Sequence, residues 1–141
     1  MIRFKQNQYS EDSELFLNFI CRLEGFKTKC KNLHWAAPKK NIHTYLDDLL
    51  GIISDYQDTV AEGYMGILGK MGPNDVKAVP SSSSDSMSFI EEVIDATQDF
   101  YDAIPGDTIY KGISSETETY IQDLNKYKYL FSLCDNNYDN I

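Results

Sequence analysis

The apolar residues between positions 42 and 67 recur at steps of three and four, which is the spacing of one face of an α-helix. The stripe consists of Ile42, Leu46, Leu49, Ile53, Tyr56, Val60, Tyr64 and Ile67. An amphipathic helix of this length gains most of its stability by packing the stripe against other helices. The segment therefore predicts a long helix over about residues 41–69 and requires helical partners.

Three further segments have the same periodicity, and they predict helices over about residues 12–34, 88–104 and 108–134. Pro38, in the short link after the first helix, predicts a sharp turn and antiparallel neighbours. The polar stretch 71–85, with a run of four serines, predicts a surface crossover. No segment has the two-residue period of a strand. The 141 residues predict one all-α domain, a four-helix bundle over 1–141 with a long crossover between helices two and three.

Boundary residues refine these segments. Several residues of 10–13 are N-cap candidates for the first helix, and Ser88 with Glu91 has the form of a capping box for the third. Gly69 and Pro105 predict the ends of the second and third helices. The Asp- and Asn-rich tail 135–141 predicts a frayed end.

Charge and cysteine content narrow the function classes. The net charge of −9 disfavours DNA binding, which depends on Lys and Arg neutralising phosphates. Six basic residues fall within 22–40, a pattern typical of a solvated helix face. Cys21, Cys30 and Cys134 lack metal-type spacing and indicate free thiols in a reducing compartment. No apolar run reaches the length of a membrane span and no signal peptide is recognised, so the expectation is a soluble cytoplasmic protein.

Four potential metal ligands lie on one stripe of the second helix. At about 100° per residue, His43, Asp47, Asp58 and Glu62 fall at roughly 0°, 40°, 60° and 100° around its axis. The apolar stripe centres near −90° on the same scale. We therefore expect the four ligands to lie beside the core-facing stripe and to face something other than their own bundle.

The axial spacing separates the ligands into two pairs. Asp47 and Asp58 are eleven residues apart, or about 16 Å along a helix, whereas metal–ligand bonds are about 2 Å long. Two antiparallel copies crossing near residues 52 and 53 would bring the first pair of one copy beside the second pair of the other. Gly51, Ser54 and Ala61 are small residues at this face that would permit close approach.

His34 ends the first helix, and the Pro38 turn is expected to bring it back beside His43. Taken singly, each histidine also has an ordinary explanation: His34 as a capping or core side chain, His43 as a surface residue. Asp58 and Glu62 alone would be an ordinary solvated face. Trp35, beside His34, either packs or quenches radicals, and packing is the favoured interpretation. Imidazole together with carboxylates suits Fe(II), Mn(II) or Zn(II), with positions left open for water and oxidant.

The sequence His34-Trp35, followed by His43-x3-Asp47 and Asp58-x3-Glu62, resembles the inter-subunit ferroxidase motif of the Dps-type mini-ferritins, the DNA-protection-during-starvation branch of the ferritin-like superfamily. The resemblance is clear over about residues 26–72. It implies a ferritin-like bundle in a homo-oligomer, usually a twelve-subunit shell. It also implies an iron site with His34, His43 and Asp47 from one subunit and Asp58 and Glu62 from its two-fold mate.

The leading hypothesis is oxidation of Fe(II) by hydrogen peroxide or oxygen for iron storage and protection from oxidative stress, with Glu62, Asp58 and His43 as the principal residues and Glu62 as a bridging carboxylate. The alternative is a non-catalytic ferritin-like structural or interaction protein that keeps the bundle without cage or activity. Gly63, where the family commonly has arginine, and the short interval between the histidines favour this alternative. An iron site inside one bundle is disfavoured because no Glu-x-x-His pair occurs.

Overall fold

Four α-helices make up the chain in the computed structural model, which describes residues 2–140 and the side chains of residues 11–139. They are α1 (Ile2–Trp35), α2 (Lys40–Leu68), α3 (Ser86–Ala103) and α4 (Lys111–Ser132). A 3-10 turn, Thr108–Tyr110, leads into α4, and a second, Tyr138–Asn140, follows it. Residues 2–140 contain no strand. The predicted all-α four-helix bundle with a long crossover between helices two and three is confirmed.

The order of the helices around the bundle is α1, α2, α4, α3, so that α2 and α3 lie diagonally opposite. Phe16 of α1 contacts Tyr64 near the end of α2, while Phe19 stacks on Phe100 near the end of α3 with centroids 4.0 Å apart. Both α2 and α3 therefore run antiparallel to α1. Because α2 and α3 are parallel to each other, the crossover has to return along the whole length of the bundle.

The core forms from the predicted stripes. On α2 the buried apolar residues are Ile42, Leu46, Leu49, Ile53, Tyr56, Val60 and Tyr64. They share one core with aromatic side chains spread along the bundle, which include Phe16, Phe26, Phe89, Tyr110 and Phe131, each at most 2% exposed. Burial of a large apolar side chain contributes about 1.5–3 kcal/mol, so these side chains stabilise the packing of the four helices.

The crossover, residues 69–85, lies directly on α1. The amide of Val79 donates to the carbonyl oxygen of Cys21 at 3.1 Å, and the amide of Lys77 donates to Cys21 Sγ at 3.4 Å. A Cβ atom at Gly25 would lie 1.7 Å from the carbonyl oxygen of Val79. Glycine at position 25 is what allows the crossover backbone to approach the helix this closely.

Three helix starts differ from the sequence prediction, and one of them is that of α4, which begins at Lys111 after a 3-10 turn instead of near residue 108. Helix α1 begins at Ile2 instead of near residue 12, because residues 2–11 contain no glycine or proline that would stop it. Helix α3 begins at Ser86, with Asp85 as its N-cap. The carboxylate of Asp85 accepts from the amide of Ser88, so Ser88 occupies the third position of the capping box and not the cap itself.

The C-terminal tail packs onto the bundle end where a frayed end was predicted, which corrects that prediction for residues 135–139. Asn136 Nδ2 donates to the carbonyl oxygens of Phe131 and Cys134 at 2.8 and 3.0 Å. The hydroxyl of Tyr138 donates to the carbonyl oxygen of Leu33 at 3.3 Å. Asparagine and tyrosine thus supply side-chain hydrogen bonds that composition alone did not reveal.

All three cysteines are free, as predicted. Cys30 is fully buried and donates to the carbonyl oxygen of Leu46, and burial raises its pKa to about 12. No helix within residues 2–140 combines the length and the apolar character that crossing a membrane requires.

Candidate functional site

The five predicted ligands lie outside the bundle core. His43, Asp47, Asp58 and Glu62 are exposed on the face of α2 that points away from its buried stripe, and His34 is half-buried in the last turn of α1. The helical prediction that this stripe faces away from its own bundle is confirmed. Because the side chains point outward, any ion they bind lies at the surface of a single chain.

The two histidines form a reciprocal pair at the junction of α1 and α2. Nδ1 of His34 lies 2.6 Å from the carbonyl oxygen of His43, and Nδ1 of His43 lies 2.8 Å from the carbonyl oxygen of His34. Their rings stack with centroids 3.7 Å apart and planes inclined by 19°. His34 is in the last turn of α1, where carbonyl oxygens lack intrahelical partners, so His43 also caps that helix. The predicted approach of His34 to His43 is confirmed.

These hydrogen bonds fix the tautomer of both rings. A carbonyl oxygen only accepts, so each Nδ1 carries a proton and each neutral ring presents an unprotonated Nε2. No hydrogen-bond partner of either Nε2 occurs among residues whose side chains are described. Metal-binding histidines commonly hold their second ring nitrogen to a carbonyl in this way, which orients the ring and raises the basicity of the free nitrogen.

The stacking limits how the pair binds an ion. The lone pair of Nε2 lies in the plane of its ring, and the lone pairs of two stacked, nearly parallel rings do not converge on one point. Metal–nitrogen bonds of about 2.0–2.1 Å require lone pairs that converge on the ion. In this arrangement His34 and His43 do not chelate one ion together, and one ring has to reorient for both to bind the same ion.

The second pair of ligands stands apart from the first. Asp58 and Glu62 are one turn apart on α2, and Asp58 is about 16 Å along the helix from Asp47. Within the described residues, no group of three His, Cys, Asp or Glu side chains is placed to hold an ion. On a single chain the five predicted ligands therefore lie in two separate sets: His34, His43 and Asp47 at one end of the face, Asp58 and Glu62 towards the other.

A polar network flanks this face on the α1 side. Gln57 Nε2 donates to Glu24 Oε1 at 3.0 Å and to the carbonyl oxygen of Ile20 at 3.2 Å. Lys27 Nζ donates to Gln57 Oε1 at 3.0 Å and pairs with Glu24 at 3.4 Å. The hydrogen bond from Gln57, together with the charge of Lys27, lowers the pKa of Glu24. Sequence analysis missed this network; the signal was a glutamine at the edge of an otherwise apolar stripe.

On the opposite flank, a groove of about 190 Å³ separates α2 from α4 and is lined by three carboxylates, Asp55, Glu116 and Asp123. Beneath it the rings of Tyr56 and Tyr120 stack with centroids 3.8 Å apart, and Tyr56 shares a hydrogen bond of 2.7 Å with Thr117. Burial raises the pKa of both phenols. These tyrosines are neutral core residues and add no charge to the face.

The structure shows the surroundings of two further residues discussed from the sequence, Trp35 and Gly63. Trp35 is 72% exposed, so the interpretation of this side chain as a packing residue is wrong for the single chain. Gly63 lies where the side chain of Ile113 reaches α2, and a Cβ there would be 3.0 Å from Ile113 Cδ1. The glycine at this position is thus explained by close packing of α4 on α2.

Comparison of the chain with protein-family models, with curated proteins and with solved structures gave no match.

Proposed function

We propose that the chain binds and oxidises Fe(II) at a site shared between two subunits, as the resemblance to Dps-type mini-ferritins implies. The observation that carries this proposal is the His34–His43 pair, whose Nδ1 hydrogen bonds hold each ring so that Nε2 of the neutral form is a free ligand, with one ring reorienting if both are to bind the same ion. The same helix face carries three carboxylates at the predicted ligand positions. Nitrogen and oxygen ligands of this kind suit Fe(II).

The chemistry asked of the site is simple. Iron is the substrate: one molecule of hydrogen peroxide takes one electron from each of two Fe(II) ions and, with two protons, leaves as two molecules of water. Asp47, Asp58 and Glu62 attract the ferrous ions and stabilise the higher charge of the ferric product, because opposite charges interact more strongly as the ionic charge rises. Neutral imidazole supplies ligands that need no deprotonation.

The two sets of ligands, each a proposed half-site, predict a complementation experiment. In an Fe(II) oxidation assay with peroxide, Glu62→Ala and His43→Ala are each expected to lose activity. If subunits of the two variants are mixed and exchanged, about half of the dimers are mixed, and each mixed dimer has one intact site of two. About a quarter of the wild-type activity is therefore expected to return.

A matched control uses two variants of the same half-site. Mixing Glu62→Ala with Asp58→Ala leaves every site in the mixed dimer with one missing carboxylate, so no activity is expected to return. Equal recovery in both mixtures would refute a site shared between subunits. Failure of the wild-type protein to bind Fe(II) anaerobically, or to speed its oxidation, would refute the proposed function.

A second candidate function is a non-catalytic ferritin-like bundle. Two observations favour it. The parallel stacking of His34 and His43 suits a structural contact between α1 and α2 better than a chelate. Ile113 packs against Gly63. The two candidates differ in the effect of His43→Ala. If His43 only joins α1 to α2, the variant is less stable than the wild type with or without iron. If His43 is a ligand, the variant lacks the stabilisation that Fe(II) confers on the wild-type protein.

A further inference from the structure

The outward face of α2 carries negative charges that no basic residue of the same helix segment neutralises. The sequence has no Lys or Arg between positions 40 and 70. Five carboxylates are exposed on this face: Asp47, Asp48, Asp55, Asp58 and Glu62. The ion pair that the described side chains form joins Lys27 to Glu24 on α1, so none of the five carboxylates has a described cation within 4.0 Å. Two copies of this face brought together place ten carboxylates at one interface.

The helices on either side of this face do not neutralise its negative charge. On the α4 side, Glu116 and Asp123 add negative charge along the groove beside Asp55. On the α1 side, Lys27 already serves Glu24 and Gln57, and Lys31, one turn further along α1, is the remaining cation of that stripe. Like charges held close together raise the free energy of the paired state, so the metal-free dimer carries an electrostatic cost.

The ligands of the proposed site are divided by the same interface. One chain provides two half-sites about 16 Å apart, and no described group of three ligands exists within it. A divalent ion that completes its ligand set from both copies removes two charges of repulsion and bridges the subunits at once. A Cβ atom at Gly51, on the same helix, would meet no atom within 4 Å, which leaves room for close approach of the second helix.

We infer that pairing of two copies through the α2 face is coupled to metal binding, so that Fe(II) promotes assembly and assembly tightens Fe(II) binding. The inference rests on the proposed function, since it uses the same shared site. The coupling is reciprocal by thermodynamic necessity. The partner is a second copy of this chain, and the regulated property is the affinity for iron, which rises with protein concentration.

The magnitude follows from mass action. At a free Fe(II) concentration ten times the dissociation constant of a completed site, each site favours the dimer by about 11-fold, and two sites by about 120-fold. The experiment is anaerobic sedimentation of the full chain over a range of protein concentrations, with Fe(II), with Mg²⁺ at the same ionic strength, or with neither. We expect the dimer dissociation constant to fall at least 10-fold with Fe(II) and much less with Mg²⁺, which prefers an all-oxygen octahedral shell.

Charge variants separate repulsion from ligation. Asp48→Asn with Asp55→Asn removes two charges from the face without touching a proposed ligand, and is expected to strengthen metal-free pairing while Fe(II) still strengthens it further. Glu62→Gln is expected to lose most of the Fe(II) effect. Asp95→Asn, an exposed carboxylate on the diagonally opposite α3, is the matched control and is expected to change neither quantity.

Three results of these experiments would contradict the coupling between Fe(II) binding and pairing. The protein could oxidise iron and pass the complementation test while its dimer dissociation constant is the same with and without Fe(II). That result would overturn the coupling and leave the proposed function standing. An equal effect of Mg²⁺ also overturns it, because screening would then suffice. Absence of Fe(II) binding at every protein concentration overturns both the coupling and the proposed function.

Discussion

The contact between the crossover and α1 at Gly25 gives a sharp test of the fold. In Gly25→Ala, the new methyl group would lie 1.7 Å from the carbonyl oxygen of Val79, far inside the 3.4 Å at which ordinary contact begins. The crossover backbone has to move away by about 1.5 Å or more to relieve this overlap, since interiors tolerate no such approach. The substitution therefore detaches the crossover locally from the helix beneath it.

The expected cost follows from the bonds that are lost. The amides of Val79 and Lys77 both bond to Cys21, and a displacement of this size breaks both bonds. Each hydrogen bond contributes about 0.5–1.5 kcal/mol, so the loss is about 1–3 kcal/mol. Alanine recovers about 1 kcal/mol through its higher helix propensity. The free energy of unfolding should fall by about 0–2 kcal/mol.

Gly66→Ala is the matched control, because Gly66 is also helical but a Cβ there meets no atom within 4 Å. That variant should gain up to about 1 kcal/mol. Urea unfolding of the two variants and the wild type measures the difference, which we expect to be about 1–3 kcal/mol in favour of Gly66→Ala. If Gly25→Ala is stabilised as much as Gly66→Ala, the close approach of the crossover is wrong.

Three further predictions concern buried or half-buried groups. At pH 8, Cys30 should react with iodoacetamide far more slowly than Cys21, because burial raises its pKa to about 12 and only the thiolate reacts; mass spectrometry of the labelled peptides measures the ratio. Burial raises the pKa of Tyr138 to about 12, so the stability it contributes is present below pH 10 and lost as the pH rises from about 10 to about 12; Tyr138→Phe should flatten that part of the unfolding-versus-pH curve. The Tyr110 hydroxyl donates to Asp12 at 2.6 Å, so Tyr110→Phe should cost about 1–3 kcal/mol in thermal or urea unfolding, and an unchanged stability would contradict this.

The fold was accessible from the sequence because its determinants are local and periodic. Seven of the eight residues in the apolar stripe of α2 are buried in the structure, from Ile42 to Tyr64. Boundaries were less accessible, since they depend on competition between neighbouring capping residues. Asp85 caps α3 ahead of Ser88 because its carboxylate reaches the amide of Ser88, and that choice depends on how the crossover arrives.

The candidate site was accessible from the sequence in part. Helical spacing was sufficient to predict that His43, Asp47, Asp58 and Glu62 share one outward face and that Asp47 and Asp58 are too far apart for one ion. The mutual hydrogen bonds of the histidine pair were not accessible, because they depend on the conformation of the four-residue link 36–39 and on the height of α2 beside α1. The Gln57 network is also a tertiary feature, because Gln57 bonds to residues 30 or more positions away in the chain.

The exposed indole of Trp35 is an intrinsic fluorescent probe of the chain. It is the single tryptophan of the sequence and stands next to His34, with 72% of its surface open to solvent. Its fluorescence therefore comes entirely from the end of the bundle that carries the histidine pair. Docking of a second copy over that end would shift the emission to shorter wavelength, whereas a free end keeps the spectrum of a hydrated indole, so assembly becomes visible without any label.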